Sequence, residues 1–264
     1  MPVTAVHHAH PVVMLHSGGM SSRQWRRLAD ALTPTHHVVA PDFLGSGENP
    51  PWPHDAPFEL GMELAPLEAR IAELGQPVHL VGHSYGGLIA LMLAQRQPDR
   101  VRSLALYDPV AFGVVYRADD REGLADLARA EVDPVFTDAV RGGGDAWFEA
   151  FIDYWNGPGA WRNLAEPARA SFLRVGRKVF FEVMALMNER SPASAYAKIV
   201  APALLFAGGR SPVAAKRVVA LLAAALPHAR TLEVAEAGHM GPLTHGELVN
   251  AAIVAHVLAA DAAT

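Results

Sequence analysis

Ser84 lies at the centre of a Gly-His-Ser-Tyr-Gly motif at residues 82–86. An apolar run at residues 78–81 precedes the motif and a helical run at residues 88–95 follows it. Glycines two positions either side of a serine let a strand and a helix approach closely around a strained turn. The hydroxyl is then exposed at the positive end of the helix. This spacing predicts a nucleophilic serine, in preference to an idle serine in a plain tight turn.

A serine nucleophile needs a general base, and His239 lies in a glycine-flanked loop at residues 237–241. Histidine can accept and return a proton near neutral pH, and a base that follows the serine along the chain fits this type of site. Two other histidines compete for the role. His83 should point away from Ser84, because neighbours on a strand alternate faces, and His245 fits a capping or surface role. We therefore predict His239 as the base.

The composition limits the classes of function. The chain has 264 residues, a net charge of −5 and no cysteine. Disulfides, thiolate metal sites and a cysteine nucleophile are thereby excluded. The charge provides no basic surface for nucleic acid or an anionic membrane. Residues 1–15 lack the pattern of a signal peptide, and no apolar run is long enough to span a bilayer. We expect a cytoplasmic protein with no nucleic-acid or membrane partner. A homo-oligomer is possible.

Buried strands and helices alternate along most of the chain. Each crossover between parallel strands is right-handed, so this order predicts a mostly parallel sheet with helices on both faces. Helices are expected near residues 24–28, 60–74, 88–95, 213–226 and 244–260. The predicted strands are residues 11–15, 37–40, 78–81, 101–107, 203–207 and 230–234.

The alternation stops between residues 111 and 197, where helical patterns occur without a convincing buried strand. Residues 145–155 and 171–188 are the clearest helices, and the segment holds most of the large aromatic residues. We predict an all-helical cap at 111–197, inserted into a core formed by residues 1–110 and 198–264. Most of its aromatic side chains should form its own core, and the others should line an apolar pocket over Ser84.

These motifs together resemble the α/β-hydrolase superfamily. The resemblance rests on the nucleophile elbow at 82–86, the small-residue loop at 16–19, the turn-rich loop at 42–47 and the loop that carries His239. It implies a serine-nucleophile, cofactor-free hydrolase whose cap follows the strand that ends at Asp108. It also implies an oxyanion hole formed by the backbone N–H groups of Tyr85 and Gly18, with Gly19 as the alternative to Gly18.

The resemblance also bears on the third member of the site, the acid. In most members it lies in the turn after the cap, but here that turn, residues 208–211, contains no carboxylate. Some members, including many haloalkane dehalogenases, carry it after the strand that precedes the cap, where this chain has Asp108. We therefore predict Asp108 as the orienting acid, with Glu236 and Asp42 as alternatives. Asp42 is better explained as a brace for its own loop, and Asp108 could simply cap the turn into the next residue, Pro109.

By the same resemblance, a serine at the elbow disfavours dehalogenase and epoxide hydrolase activity, for which the family uses aspartate. Serine with an oxyanion hole suits attack on a carbonyl. We expect a small-molecule substrate, a small or medium apolar ester or lactone. A C–C bond hydrolase, a cofactor-free perhydrolase and a non-catalytic receptor are the alternatives.

No cofactor or metal is expected. A metal tract at His7, His8 and His10 is disfavoured, because no acidic or histidine partner lies nearby in sequence.

Overall fold

A computed structural model describes residues 9–53 and 56–263 of the chain. Its centre is one six-stranded sheet in the order β2-β1-β3-β4-β5-β6, and all five strand pairs are parallel. No antiparallel strand pair occurs in these ranges. The strands are β1 (Val12–Leu15), β2 (Val38–Val39), β3 (Val78–His83), β4 (Val101–Tyr107), β5 (Ala203–Gly208) and β6 (Ala229–Val234).

Helices cover both faces of the sheet, which confirms the predicted fold class. They are α1 (Arg26–Leu32), α2 (Leu60–Glu73), α3 (Tyr85–Arg96), α4 (Gly113–Arg117), α5 (Arg121–Ala130), α6 (Asp145–Asn156), α7 (Ala160–Asn163), α8 (Glu166–Asn188), α9 (Val213–Ala225), α10 (Gly241–Thr244) and α11 (Gly246–Ala262). Within the described ranges, none is long and apolar enough to cross a membrane.

The two faces are built by alternation along each strand. In β1, Val13 and Leu15 pack into the core shared with α2, α3 and α9. Val12 and Met14 point the other way, into the core shared with α1 and α11. All four side chains are buried, because a parallel strand inside a doubly covered sheet has no solvent face. This explains why the strands appear in the sequence as continuous apolar runs.

Several element boundaries differ from the predicted ones. Strand β2 has only two residues, and the first helix is preceded by a 3₁₀ turn at Ser22–Trp25. Helix α8 begins five residues before the predicted position, because Pro167 occupies its first turn, where a missing N–H costs nothing. The closing helix is divided into α10 and α11, which meet at His245.

Residues 111–197 contain five α-helices and no strand; we call them the helical segment. Its later part has an aromatic core of its own, which includes Trp147, Phe148 and Trp161. Helices α4 and α5 instead contribute Val115 and Leu127 to the core on the α2 and α3 face of the sheet. Trp155 of α6 and Leu186 of α8 join the same core, so the helical segment packs on the sheet through its first two helices and through parts of α6 and α8.

Candidate active site

Ser84 occupies a strained turn between β3 and α3. Its backbone angles are φ 56° and ψ −118°, outside the regions that L-residues ordinarily adopt. A Cβ at Gly82 would lie 2.6 Å from the carbonyl oxygen of Gly86, and one at Gly86 would collide with the carbonyl oxygen of Leu15. Only glycine therefore fits at either position. The turn holds the hydroxyl at the carboxyl end of the central strand.

Ser84, His239 and Asp108 form a continuous hydrogen-bonded chain. The Oγ of Ser84 lies 2.9 Å from Nε2 of His239, and Nδ1 of His239 lies 3.2 Å from Oδ2 of Asp108. A carboxylate only accepts, so Nδ1 carries the ring proton and Nε2 is left to accept the proton of the serine hydroxyl. All three side chains are buried. The structure thus brings together three side chains that are separated by up to 155 positions in the chain.

The Asp108 carboxylate has two further partners. The backbone N–H of Gly208 donates to Oδ1 at 3.2 Å, and the hydroxyl of Ser211 donates to Oδ2 at 2.5 Å. Ser211 lies in the turn that carries the acid in most members of the family. Here that turn supplies a hydrogen-bond donor to the acid, and the acid itself comes from Asp108. Sequence analysis missed this role, because a serine in a glycine-rich turn has no distinguishing signal.

The two alternative acids are engaged elsewhere. Asp42 accepts backbone N–H groups of Ser22 at 2.6 Å and Glu48 at 2.9 Å, the loop-bracing contacts expected for it. Glu236 is 71% exposed and pairs with Arg210. Neither carboxylate contacts His239.

The loop that carries His239 is held from behind by two strand residues. Nε2–H of His83 donates to the carbonyl oxygen of His239 at 2.7 Å, and the hydroxyl of Tyr107 donates to that of Gly238 at 2.9 Å. Burial keeps the pKa of His83 well below its usual value. His83 therefore stays neutral and positions the loop, and it does not contact Ser84 as a rival base. His245, the other rival, bonds to Thr244 on its own helix boundary.

Trp155 of α6 covers His239 from the helical segment. The two rings stack with centroids 3.8 Å apart and planes 22° apart. The prediction that some aromatic residues of the segment lie over Ser84 did not single out this residue, because nothing in the sequence around it marks it for the site over Trp147 or Trp161. The stacking fixes the plane of the imidazole.

The loop at residues 16–19 borders the site and depends on a buried histidine. His16 donates from Nδ1 to the carbonyl oxygen of Ser17 at 2.8 Å and accepts the N–H of Phe43 at Nε2 at 3.1 Å. Burial lowers the pKa of His16 to about 4, which preserves this neutral arrangement at pH 7. Gly18 lines the cavity that holds Ser84, whereas Gly19 lines a neighbouring one. The position therefore favours Gly18 over Gly19 as a partner of Tyr85.

The inner cavity at Ser84 has a volume of about 60 Å³. Its walls are mostly apolar and come largely from the helical segment: Val110, Phe112, Leu127, Phe136, Phe151, Ile152, Trp155, Phe172, Val179, Val183, Leu186 and Met187. A wider outer cavity shares Met20, Ile152, Phe172 and Met240 with it. The two spaces adjoin across these side chains.

A buried ionic group lies beside the inner cavity. The ammonium of Lys178 bonds to both Glu63 of α2 and Glu182 of α8. One cation does not neutralise two buried carboxylates, and burial raises the pKa of Glu182 to about 7 against the opposing effect of Lys178. Its Oε2 has no hydrogen-bond partner in the part of the chain that the structure describes. No sequence motif pointed to these residues.

One histidine–carboxylate cluster has metal-ligand geometry. Ligand atoms of His10, His79 and Asp261 lie within 4.8 Å of one another. The prediction for His10 considered only partners nearby in sequence, and the fold supplies two that are distant in sequence. His7 and His8 lie outside the described residues. Nδ1 of His10 and Nε2 of His79 each bond directly to the Asp261 carboxylate. The Arg102 guanidinium lies 3.8 Å from the same carboxylate. We therefore assign no metal to this cluster. It lies at the opposite end of β3 from Ser84.

Residues 10–246 match the model of the alpha/beta hydrolase fold family. The chain belongs to this family, as its motifs predicted, and is an α/β-fold hydrolase. It is 30% identical to a pimeloyl-[acyl-carrier protein] methyl ester esterase of Chromobacterium violaceum over 252 residues, which cover 93% of each chain.

Two further matches agree with this assignment. Lipase LipV of Mycobacterium tuberculosis is 40% identical over 99 residues, which cover 37% of this chain and 36% of the lipase. Among solved structures, MenH from S. aureus superimposes with a TM-score of 0.73 at 19% identity, over 97% of this chain and 96% of MenH. The likeness to MenH concerns the fold alone. The named esterase and lipase are similar to this chain in sequence as well.

Proposed function

We propose that the protein is a serine hydrolase that cleaves a small or medium apolar carboxylic ester or lactone through an acyl-enzyme. In this proposal Ser84 is the nucleophile, His239 the general base and Asp108 the orienting acid. The observation that carries it is the unbroken hydrogen-bonded chain from Asp108 to the hydroxyl of Ser84 at the floor of an apolar cavity. The esterase and lipase named above support hydrolysis of an ester.

Acylation begins when Ser84 Oγ attacks the carbonyl carbon and its proton passes to His239 Nε2. The imidazolium that forms is stabilised by the Asp108 carboxylate, which keeps its charge. The carbonyl oxygen becomes an oxyanion, and the backbone N–H groups of Gly18 and Tyr85 are the proposed donors to it. Collapse of the intermediate breaks the ester C–O bond, and the leaving alcohol takes the proton from His239.

Deacylation repeats these steps with water. His239 removes a proton from the water molecule as it attacks the acyl carbon, and the proton then returns to Ser84 as the acid is released. A lactone follows the same course, except that its alcohol remains joined to the product.

The cavities support the size of the proposed substrate. The inner cavity suits a short apolar acyl chain, because its volume is about 60 Å³ and its walls are mostly apolar. The adjoining outer cavity is larger and would receive the alcohol part or the end of a longer acyl chain. In this arrangement the helical segment acts as a cap, since it supplies most of the apolar lining.

A fluorophosphonate probe tests the nucleophile, because it reacts with activated serines at the rate set by the triad. We expect mass spectrometry to find the label on Ser84 and expect Ser84→Ala to abolish both labelling and hydrolysis of p-nitrophenyl butyrate. Ser17→Ala is the matched control, since Ser17 lines the same cavity without contacting His239. Hydrolysis that survives in Ser84→Ala would refute the assignment. A wild-type protein that does not label would point to a small-molecule receptor with this fold.

A further inference from the structure

We propose that Glu182, in its carboxylic acid form, is a further catalytic residue that donates a hydrogen bond from Oε2 to the substrate's carbonyl oxygen. The inference rests on the proposed serine hydrolase function and adds a side-chain donor to the two backbone donors of the oxyanion hole. The proton stays on Glu182 throughout the reaction. Only the hydrogen bond strengthens as the carbonyl oxygen gains charge.

The position of Glu182 is the first argument. It lines the inner cavity together with Ser84, Gly18 and Tyr85. A Cβ placed on Gly18 would lie 3.0 Å from Glu182 Oε2 and 3.8 Å from the Cβ of Tyr85. The carboxyl oxygen thus adjoins Gly18, one of the two proposed oxyanion donors, and Gly18 in turn lies beside Tyr85, the other. Oxyanion stabilisation requires donors that are fixed in place before the charge develops.

The lack of a partner is the second argument. Glu182 is 1% exposed, and its Oε1 accepts a hydrogen bond from Lys178. Its Oε2 is buried and without a partner among the described residues. A buried polar atom that is left unpaired destabilises the fold. Such an atom beside a reactive serine is explained if the substrate completes its hydrogen bonding.

Charge balance is the third argument. The groups that face Glu182 are the ammonium of Lys178 from its own helix, the carboxylate of Glu63 from α2 and the phenol of Tyr85 from α3. Lys178 and Glu63 already form a neutral pair, so a second ionised carboxylate would leave one buried negative charge. Burial accordingly raises the pKa of Glu182 to about 7. The proton-bearing form is present at neutral pH and below.

Two substitutions test whether Glu182 donates a hydrogen bond to the substrate or accepts one. Glu182→Gln keeps the shape of the acid: its Oε1 still accepts from Lys178, and its amide N–H₂ replaces the proposed donor. Glu182→Leu removes the donor while Lys178 keeps Glu63 as a partner. With p-nitrophenyl butyrate at pH 6.5, we expect Glu182→Gln to retain kcat within about threefold of wild type. We expect Glu182→Leu to lose about 10²- to 10³-fold, the usual effect of removing one oxyanion donor.

The pH profile gives a readout that a merely structural role would not change. In wild type, kcat/KM should decline above about pH 7, because loss of the proton removes the donor and places a negative charge beside the oxyanion. In Glu182→Gln this decline should disappear, since the amide does not titrate. Glu166→Gln, an exposed glutamate on the same helix, should keep the wild-type profile.

Each result with the two Glu182 variants supports or overturns the inference. Equal losses in Glu182→Gln and Glu182→Leu would overturn the inference and indicate that an ionised Glu182 accepts a hydrogen bond. Wild-type rates in both variants would overturn it in favour of a structural ion pair. If Glu182→Leu does not fold, as judged by circular dichroism, the pH profile of Glu182→Gln decides alone. Failure of the serine hydrolase proposal is recognised separately, because wild type itself would then neither turn over the ester nor label with fluorophosphonate.

Discussion

The carboxylate of Asp108 accepts three hydrogen bonds, from the ring of His239, the hydroxyl of Ser211 and the backbone of Gly208. Its own backbone is strained, with φ 41°. A strained residue of this kind persists where the surrounding structure over-determines it, often at a functional site. The set of partners argues that Asp108 does more than cap the turn before Pro109, because its side chain reaches across to two other loops.

We predict that Asp108→Asn lowers kcat on the order of 10⁴-fold, as removal of the orienting carboxylate does in other serine triads. An asparagine cannot stabilise the imidazolium, and it can hold His239 in the wrong tautomer. Steady-state ester hydrolysis measures the loss, and Ser211→Ala is the matched comparison, since it removes one donor while the carboxylate remains. A loss below about tenfold in Asp108→Asn would move the role to another acid, with Glu236→Gln and Asp42→Asn as the next variants.

At the scale of single elements, helix α6 connects the helical segment to the loop that carries His239. Trp147 and Phe148 face the aromatic core of the segment, whereas Trp155, two turns further along, stacks on His239. The helical periodicity of residues 145–155 predicted the helix correctly. Which of its aromatic residues reaches the site depends on where the whole helix lies over the sheet.

We predict that Trp155→Ala lowers kcat for ester hydrolysis by about three- to tenfold, since an aromatic stacking contact contributes about 0.5–1.5 kcal/mol. Without the indole, the imidazole plane is held less firmly against Ser84. Trp155→Phe retains a ring and should recover most of the rate. Thermal melting of both variants separates a general loss of stability from the effect on His239. Equal kcat values for wild type and Trp155→Ala would show that Asp108 alone suffices to orient the ring.

The whole molecule carries several histidines that are buried in the neutral form. Burial lowers the pKa of His16 and His79 to about 4, and it also lowers those of His83 and His256. His79 belongs to the cluster around Asp261, which ties the last helix, α11, to the amino ends of the central strands. These histidines occur in different layers of the fold. Their protonation therefore affects the stability of the whole protein against unfolding.

We predict that the protein loses stability as the pH falls from 6.5 towards 4. In this range the unfolded chain binds protons on these histidines while the folded chain does not, so falling pH favours unfolding. A shift from 6.5 to about 4 corresponds to about 3 kcal/mol for each fully buried histidine. Urea unfolding between pH 7 and pH 4.5 measures the effect, and exposed His37→Gln should not alter it. A transition midpoint that is constant between pH 6.5 and pH 5 would contradict the prediction.

The sequence by itself determined the fold class and most elements. It also predicted that Ser84 and His239 act together, and their side chains lie 2.9 Å apart. Those features depend on local patterns: apolar runs for buried strands, glycine spacing for the elbow and a glycine-flanked loop for the base. Helix α8 was predicted too short, because its exposed first turn has no apolar periodicity. Asp108 needed the family resemblance, since no local pattern distinguishes it from any other aspartate after a strand.

Only the tertiary structure decided which distant side chains meet. The bond from Ser211 to Asp108, the stacking of Trp155 on His239 and the burial of Glu182 beside Lys178 and Gly18 each join elements from separate parts of the chain. Such contacts depend on how helices lie over the sheet and how loops meet at its carboxyl edge. The free energy that fixes these arrangements is a sum of many weak packing contacts between distant residues. No single stretch of sequence contains it.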